Sequence, residues 1–174
     1  KNAWSSGSYA AGNSTVTQNA LTLAVQQPKG FLLSLQNQPL FADFDARVKV
    51  NVSLCRGEDA YGLLVRAAGE WDYYRFLVNC DGYARADRVR GGQTIPMQDW
   101  KAATLFPGAP VELHLGVWAS GSEIRFFVND EFQFSVKDPV FPSGALGVYA
   151  RSAGENALTV TFSELVVSAI QKAP

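Results

Sequence analysis

A few carboxylates, one histidine, two cysteines and two polar rows interleaved with aromatics are the residues best able to do chemistry here. Glycoside hydrolysis needs two carboxyl groups across the scissile bond, about 5–5.5 Å apart for retention or about 6.5–9.5 Å for inversion. Residues i and i+2 of a strand share a face, so such a pair would read as alternating acids. No run of three alternating acids occurs: Glu58 and Asp59 are adjacent, Asp130 and Glu131 fall in a turn, and Glu155 and Glu164 stand alone. His114 has no Gly-x-Ser-x-Gly elbow to serve, and Ser120 and Ser122 belong to a turn. A histidine on the polar side of a strand is more often solvated than a base. Two cysteines and a distant His114 do not complete a zinc site, and the Gly91-Gly92 pair is no phosphate cradle. The residues predict no catalytic group and no cofactor.

Binding is the chemistry that remains. With Asn79 paired to Tyr83 across the Cys80-Asp81-Gly82 loop, Leu77 meets Arg85, Arg75 meets Asp87 and Tyr73 meets Val89. Arg66 is then expected beside Tyr73 on the neighbouring strand. One face would carry Arg66, Tyr73, Arg75, Asn79, Tyr83, Arg85 and Asp87. Flat aromatic surface beside bidentate donors suits sugar: rings stack on apolar ring faces while guanidiniums donate to hydroxyls. The plainer reading, a solvated outer face tied by an ordinary salt bridge, is favoured on these residues alone. A second row sets Glu112, His114 and Trp118 against Arg125, Phe127 and Asn129 across the turn at 120–122. Trp71 at a loop tip and Trp100 in a long loop read as rim contacts or as plugs of the sheet edge, with the plug favoured for Trp100.

These residues need a scaffold, and its signal is period two. Phe44, Ala46, Val48, Val50, Val52 and Leu54 alternate with Asp45, Arg47, Lys49, Asn51 and Ser53, the pattern of a strand with one buried face. Similar runs recur at 14–17, 20–26, 30–35, 60–67, 73–79, 111–118, 123–129, 132–136, 145–151 and 158–167. Residues 1–12 are expected to cross the surface before the first strand, and 91–110 to be the longest irregular stretch. No window has a helical period. About a dozen strands predict an all-β, two-sheet antiparallel sandwich of the jelly-roll kind with under about 10% helix. The expected layout is a surface segment at 1–13, one domain at 14–170 and a tail at 171–174.

A net charge of −1 gives no attraction for nucleic acid, and no apolar run approaches the roughly 20 residues of a membrane span. The start at Lys1 reads as a processed form or a piece of something longer. Following the strands up, down and up brings Cys55 and Cys80 to the same end of the sandwich. A disulfide there would close a loop worth roughly 3–4 kcal/mol in the chain-entropy model, and paired cysteines point to an oxidising compartment.

Asp43-Phe44 with the alternation that follows, YGLLVR at 61–66, YYRFLVNCDGYARADRV at 73–89, Asp99-Trp100, FFVND at 126–130 and SGALGVYA at 143–150 carry a resemblance. Together they resemble a bacterial family with the concanavalin A-like lectin/glucanase sandwich, related to laminin-G-like domains and to domains that hydrolyse keto-disaccharides. The resemblance runs from Trp4 to about Ile170; the Cys55/Cys80 pair is this chain's own. It implies an extracellular or cell-envelope module of a larger protein, recognising carbohydrate or another cell-surface ligand. The alternatives are a protein-interaction or sensor domain and, third, a glycoside hydrolase-related enzyme. Retaining glucanases of this fold carry E-x-D-x-x-E or E-x-D-x-E on one strand, and this chain has neither. Calcium occurs on the superfold, but Asp43, Asp45, Asp81 and Asn129 form no recognisable ligand loop. The row of His114, Trp118, Arg125 and Asn129 is similar in kind to a galectin sugar face, without its spacing. The sequons at Asn13 and Asn51 matter only in a eukaryotic secretory pathway, which the resemblance does not imply.

Overall fold

The structure, a computed structural model, describes residues 4–104 and 110–170. The expected tail at 171–174, the first residues of the surface segment and the stretch 105–109 lie outside the described residues. The strands in order are β1 Gly7–Tyr9, β2 Gly12–Thr17, β3 Ala20–Val25, β4 Phe31–Phe41, β5 Phe44–Leu54, β6 Ala60–Gly69 and β7 Asp72–Asn79. They continue with β8 Tyr83–Arg90, β9 Gln93–Ala102, β10 Val111–Ser120, β11 Glu123–Val128, β12 Glu131–Lys137, β13 Gly144–Arg151 and β14 Leu158–Ala169. They pair antiparallel into an eight-stranded sheet, β1-β2-β3-β14-β5-β10-β11-β12, and a six-stranded sheet, β4-β13-β6-β7-β8-β9.

The alternation decides which side chains meet between the sheets. Phe44, Ala46, Val48, Val50 and Val52 of β5 are all at most 1% exposed. They pack with Leu113, Leu115 and Val117 of β10 and with Tyr61, Leu63, Val65, Tyr74, Phe76 and Val78 from the opposite sheet. Burial of this apolar surface is the main stabilising contribution, each fully buried side chain adding about 1.5–3 kcal/mol before entropy is counted. Cys55, just after β5, is disulfide-bonded to Cys80 in the β7–β8 loop, with Cα atoms 5.8 Å apart. The bond joins the two sheets at one end of the sandwich.

Two expectations are corrected. Among the described residues regular structure begins at Gly7, where β1 pairs with β2, and not after a surface segment that runs to residue 13. Residues 93–102, expected to be irregular, form β9 at the edge of the six-stranded sheet. Pro96 disguised it: proline lacks an N–H and signals a break, but an edge strand needs to donate on one side only.

Candidate functional site

The outward face of the six-stranded sheet gathers most of the first polar row. Tyr73 opposes Val89, Arg75 opposes Asp87 and Leu77 opposes Arg85, the expected register. The β7–β8 loop fixes it. Asn79 Oδ1 accepts bonds from the Asp81 and Tyr83 N–H groups at 3.1 and 2.9 Å, and Gly82 takes φ 90°. Asn79 therefore closes the loop, and its side-chain oxygen is occupied by backbone.

Asp87 is the centre of the face. Arg75 Nε and Nη2 donate to its Oδ2 at 3.1 and 2.9 Å, and Arg85 Nε and Nη2 donate to its Oδ1 at 3.0 and 2.5 Å. Arg75 Nη1 donates to the Tyr149 hydroxyl at 3.2 Å, and its guanidinium lies 5.0 Å from the Tyr149 ring centre. Arg85 lies 5.4 Å from the Trp100 ring centre. Beneath them Ala60, Leu64, Tyr73, Leu77, Val89, Ala145 and Tyr149 form a second apolar layer, separate from the inter-sheet core. Burial pushes the Tyr73 phenol up. Burial also works against the Arg75 charge, but Tyr149 and Asp87 more than offset it and the guanidinium's pKa is raised.

The face is therefore not the solvated surface that the residues alone favoured. Asp87 is 0% exposed, Tyr73 4% and Arg75 5%. The apolar second layer is the reason: on it, guanidinium stems and rings pack sideways over one another. What solvent reaches is the rim, with Tyr83 exposed and the Arg85 side chain and Trp100 partly so.

Arg66 is not beside Tyr73. Strands β6 and β7 keep register to Val65–Tyr74 and resume at Gly69–Asp72, so β6 carries two extra residues. In that bulge Arg66 takes φ 51°, and its side chain turns to the end of the sandwich opposite the disulfide. It donates to the carbonyls of Ala42, Gly121 and Phe141 and lies 3.6 Å from Asp43. Nearby, the Tyr74 hydroxyl donates to Asp138 Oδ1 at 2.6 Å while accepting from the Phe141 N–H, and Arg88 Nη1 donates to Asp138 Oδ2 at 2.5 Å.

The second row is assembled on the eight-stranded sheet. Trp118 is paired with Arg125, whose guanidinium lies 4.2 Å from the indole centre. Arg47 covers Phe127 at 4.5 Å and bonds Asp45. His114 is exposed, but Asn129 Oδ1 is taken by the His114 N–H at 2.9 Å. Among the described residues no group of three or more His, Cys, Asp or Glu is placed to hold a metal ion.

Tyr149 is the residue of this candidate face that the polar row did not reveal. Its strand β13 reads GALGVYAR with Gly144–Ala150 buried, a continuous apolar run of the kind found in strands covered on both faces. That run was the available signal.

The architecture is a two-sheet sandwich of the concanavalin A-like fold, as its superposition on solved structures shows. The carbohydrate-binding module CBM66 from Bacillus subtilis superposes with a TM-score of 0.68 at 15% identity, over 96% of each chain. The exoplasmic/lumenal domain of VIP36, in a Ca2+/Man3GlcNAc-bound form, gives 0.68 at 12% identity over 99% of this chain and 86% of its own. A putative glycosyl hydrolase from Parabacteroides distasonis gives 0.60 at 8% identity over 90% of each chain. No sequence-family profile matches the chain, and no curated protein matches it by sequence. At these identities the likeness is one of fold, and the fold is shared by binding modules and by hydrolases.

Proposed function

We propose that this chain is a non-catalytic carbohydrate-binding module of the extracytoplasmic space, using the outward face of the six-stranded sheet. The observation that carries the reading is Asp87, buried outside the inter-sheet core with an arginine on each carboxylate oxygen. A carboxylate so occupied is not available as a nucleophile or general acid, but it holds two guanidiniums rigid. Arg85 is the one presented to the rim, beside the indole of Trp100 and near Tyr83. Rigid donors beside aromatic planes are what sugar recognition requires. In this reading Arg85, Trp100 and Tyr83 reach the ligand, while Tyr73, Arg75 and Asp87 support them. The Cys55–Cys80 bond agrees with an oxidising compartment.

A glycan array probed with the chain, Arg85→Ala and Trp118→Ala tests this. Signals lost in Arg85→Ala and kept in Trp118→Ala support the six-stranded face. The opposite pattern moves the site to the eight-stranded sheet, and a blank array favours protein docking.

A further inference from the structure

Away from Asp87, the same face is bordered by a groove between β4 and the β6–β7 turn. Three depressions of about 190, 260 and 240 Å³ make it up. Leu33 and Glu70 line both the first and the second, and Leu35 and Gly69 both the second and the third, so they are contiguous. Along β4 the groove runs from Phe31 past Asn37, a contour of about 20 Å and several times the width of one pyranose ring.

Its aromatics are unusually exposed, Trp71 at 60%, Tyr9 at 56% and Phe31 at 43%. They are nonetheless held in place. The Trp71 indole lies against Gly92, where an added Cβ would sit 3.5 Å from Cε3, and the Gly92 N–H donates to the Trp71 carbonyl at 3.0 Å. Tyr9 folds over Gly7, where a methyl group would overlap its hydroxyl. Phe31 stacks on Tyr149 with centroids 5.6 Å apart and planes 21° from parallel. Large rings kept wet and rigid bind with little ordering cost. Among the described residues Glu70 is the sole charged side chain lining the three depressions, with Ser34 and Asn37 as further polar partners. An anionic chain would meet repulsion there and no compensating base among the described lining residues; hydroxyls would meet acceptors.

We propose that this groove is a subsite that takes a neutral oligosaccharide lengthwise, stacking on Trp71 and Tyr9 and donating hydroxyls to Glu70. The inference rests on the carbohydrate reading and deepens it, from a sugar to an extended uncharged chain. It also makes Trp71, rather than Arg85, the determinant of chain length.

Titration calorimetry of the full chain against cellotetraose, laminaritetraose, mannotetraose, xylotetraose, their monosaccharides and tetragalacturonate tests it. The expected result is that at least one neutral tetrasaccharide binds about tenfold or more tighter than its monosaccharide, and that Trp71→Ala removes about that factor for the tetrasaccharide only. Tyr9→Ala should act in the same direction, and both variants alter exposed side chains, so unchanged circular dichroism will confirm folding. Equal affinity for tetrasaccharide and monosaccharide, or preference for tetragalacturonate, would overturn the groove. So would loss of all binding in Arg85→Ala with none in Trp71→Ala, which leaves the carbohydrate reading intact. Failure of every glycan to bind would overturn both, and Trp71-dependent capture of peptides from a display library would assign the groove to a peptide.

Discussion

Arg66 and Arg75 are both buried arginines on adjacent strands, 1% and 5% exposed, and they are held in opposite ways. Arg66 is surrounded by main-chain carbonyls from three separate connections, with Asp43 more distant at 3.6 Å. Neutral dipoles do not repay the loss of water completely, and burial lowers its pKa. Arg75 faces a carboxylate and two tyrosines, and its charge is reinforced. The first arrangement ties loops together and leaves nothing to offer a ligand. The second passes its rigidity to Arg85 and the rim. Partner type, more than burial, separates the cation that ties loops together from the one that braces the outward face.

The largest effect should come from breaking the first. Arg66→Ala leaves the carbonyls of Ala42, Gly121 and Phe141 without donors, and a loss of about 4 kcal/mol in urea unfolding is expected. Asp87→Ala strands two guanidiniums and should cost about 3 kcal/mol, together with the rim geometry. Arg75→Ala should cost less, about 2 kcal/mol, because Arg85 still neutralises Asp87. If Arg75→Ala proves as costly as Asp87→Ala, the carboxylate is not the shared centre and the contrast fails.

The smallest effect is on pH dependence, at the end of the sandwich that Arg66 organises. Burial pushes Asp138 up, but bonds from Tyr74, the Val140 N–H and Arg88 outweigh it and hold its pKa below the ordinary 3.8. A lowered carboxylate stabilises the fold above its ordinary range, and that contribution is lost as pH falls below about 4. Burial and the bond to Asp138 push the Tyr74 phenol up to about 12 from 10.0. Its contribution is complete below pH 10 and is lost as pH rises to about 12. Thermal unfolding across pH should show the acid limb flattened in Asp138→Asn and the alkaline limb in Tyr74→Phe. Unchanged limbs would detach this node from the structural end.

The strands with one polar side were readable as sequence, β5 above all, and so was the β7–β8 register, because Asn79 and Gly82 admit one tight loop. Arg66 was not, because the bulge across Arg66-Ala67-Ala68, with two residues more than its partner strand, leaves no mark in an alternation count yet swings the side chain to another part of the molecule. The burial of Tyr73 and Arg75 was equally hidden. A sequence shows which residues share a face, but the second apolar layer comes from β4, β6, β13 and β9, distant segments that meet only on folding.

Pro96 sits opposite Asp87 on β9, at the border of the six-stranded sheet. Besides misleading a reading of the sequence, it removes an N–H from an open strand that exposed Asp99 and Lys101 also charge. A strand edge of this kind is a poor template for another copy of the chain. The same residue thus protects the sheet from edge-to-edge aggregation, on the side where Trp100 lies.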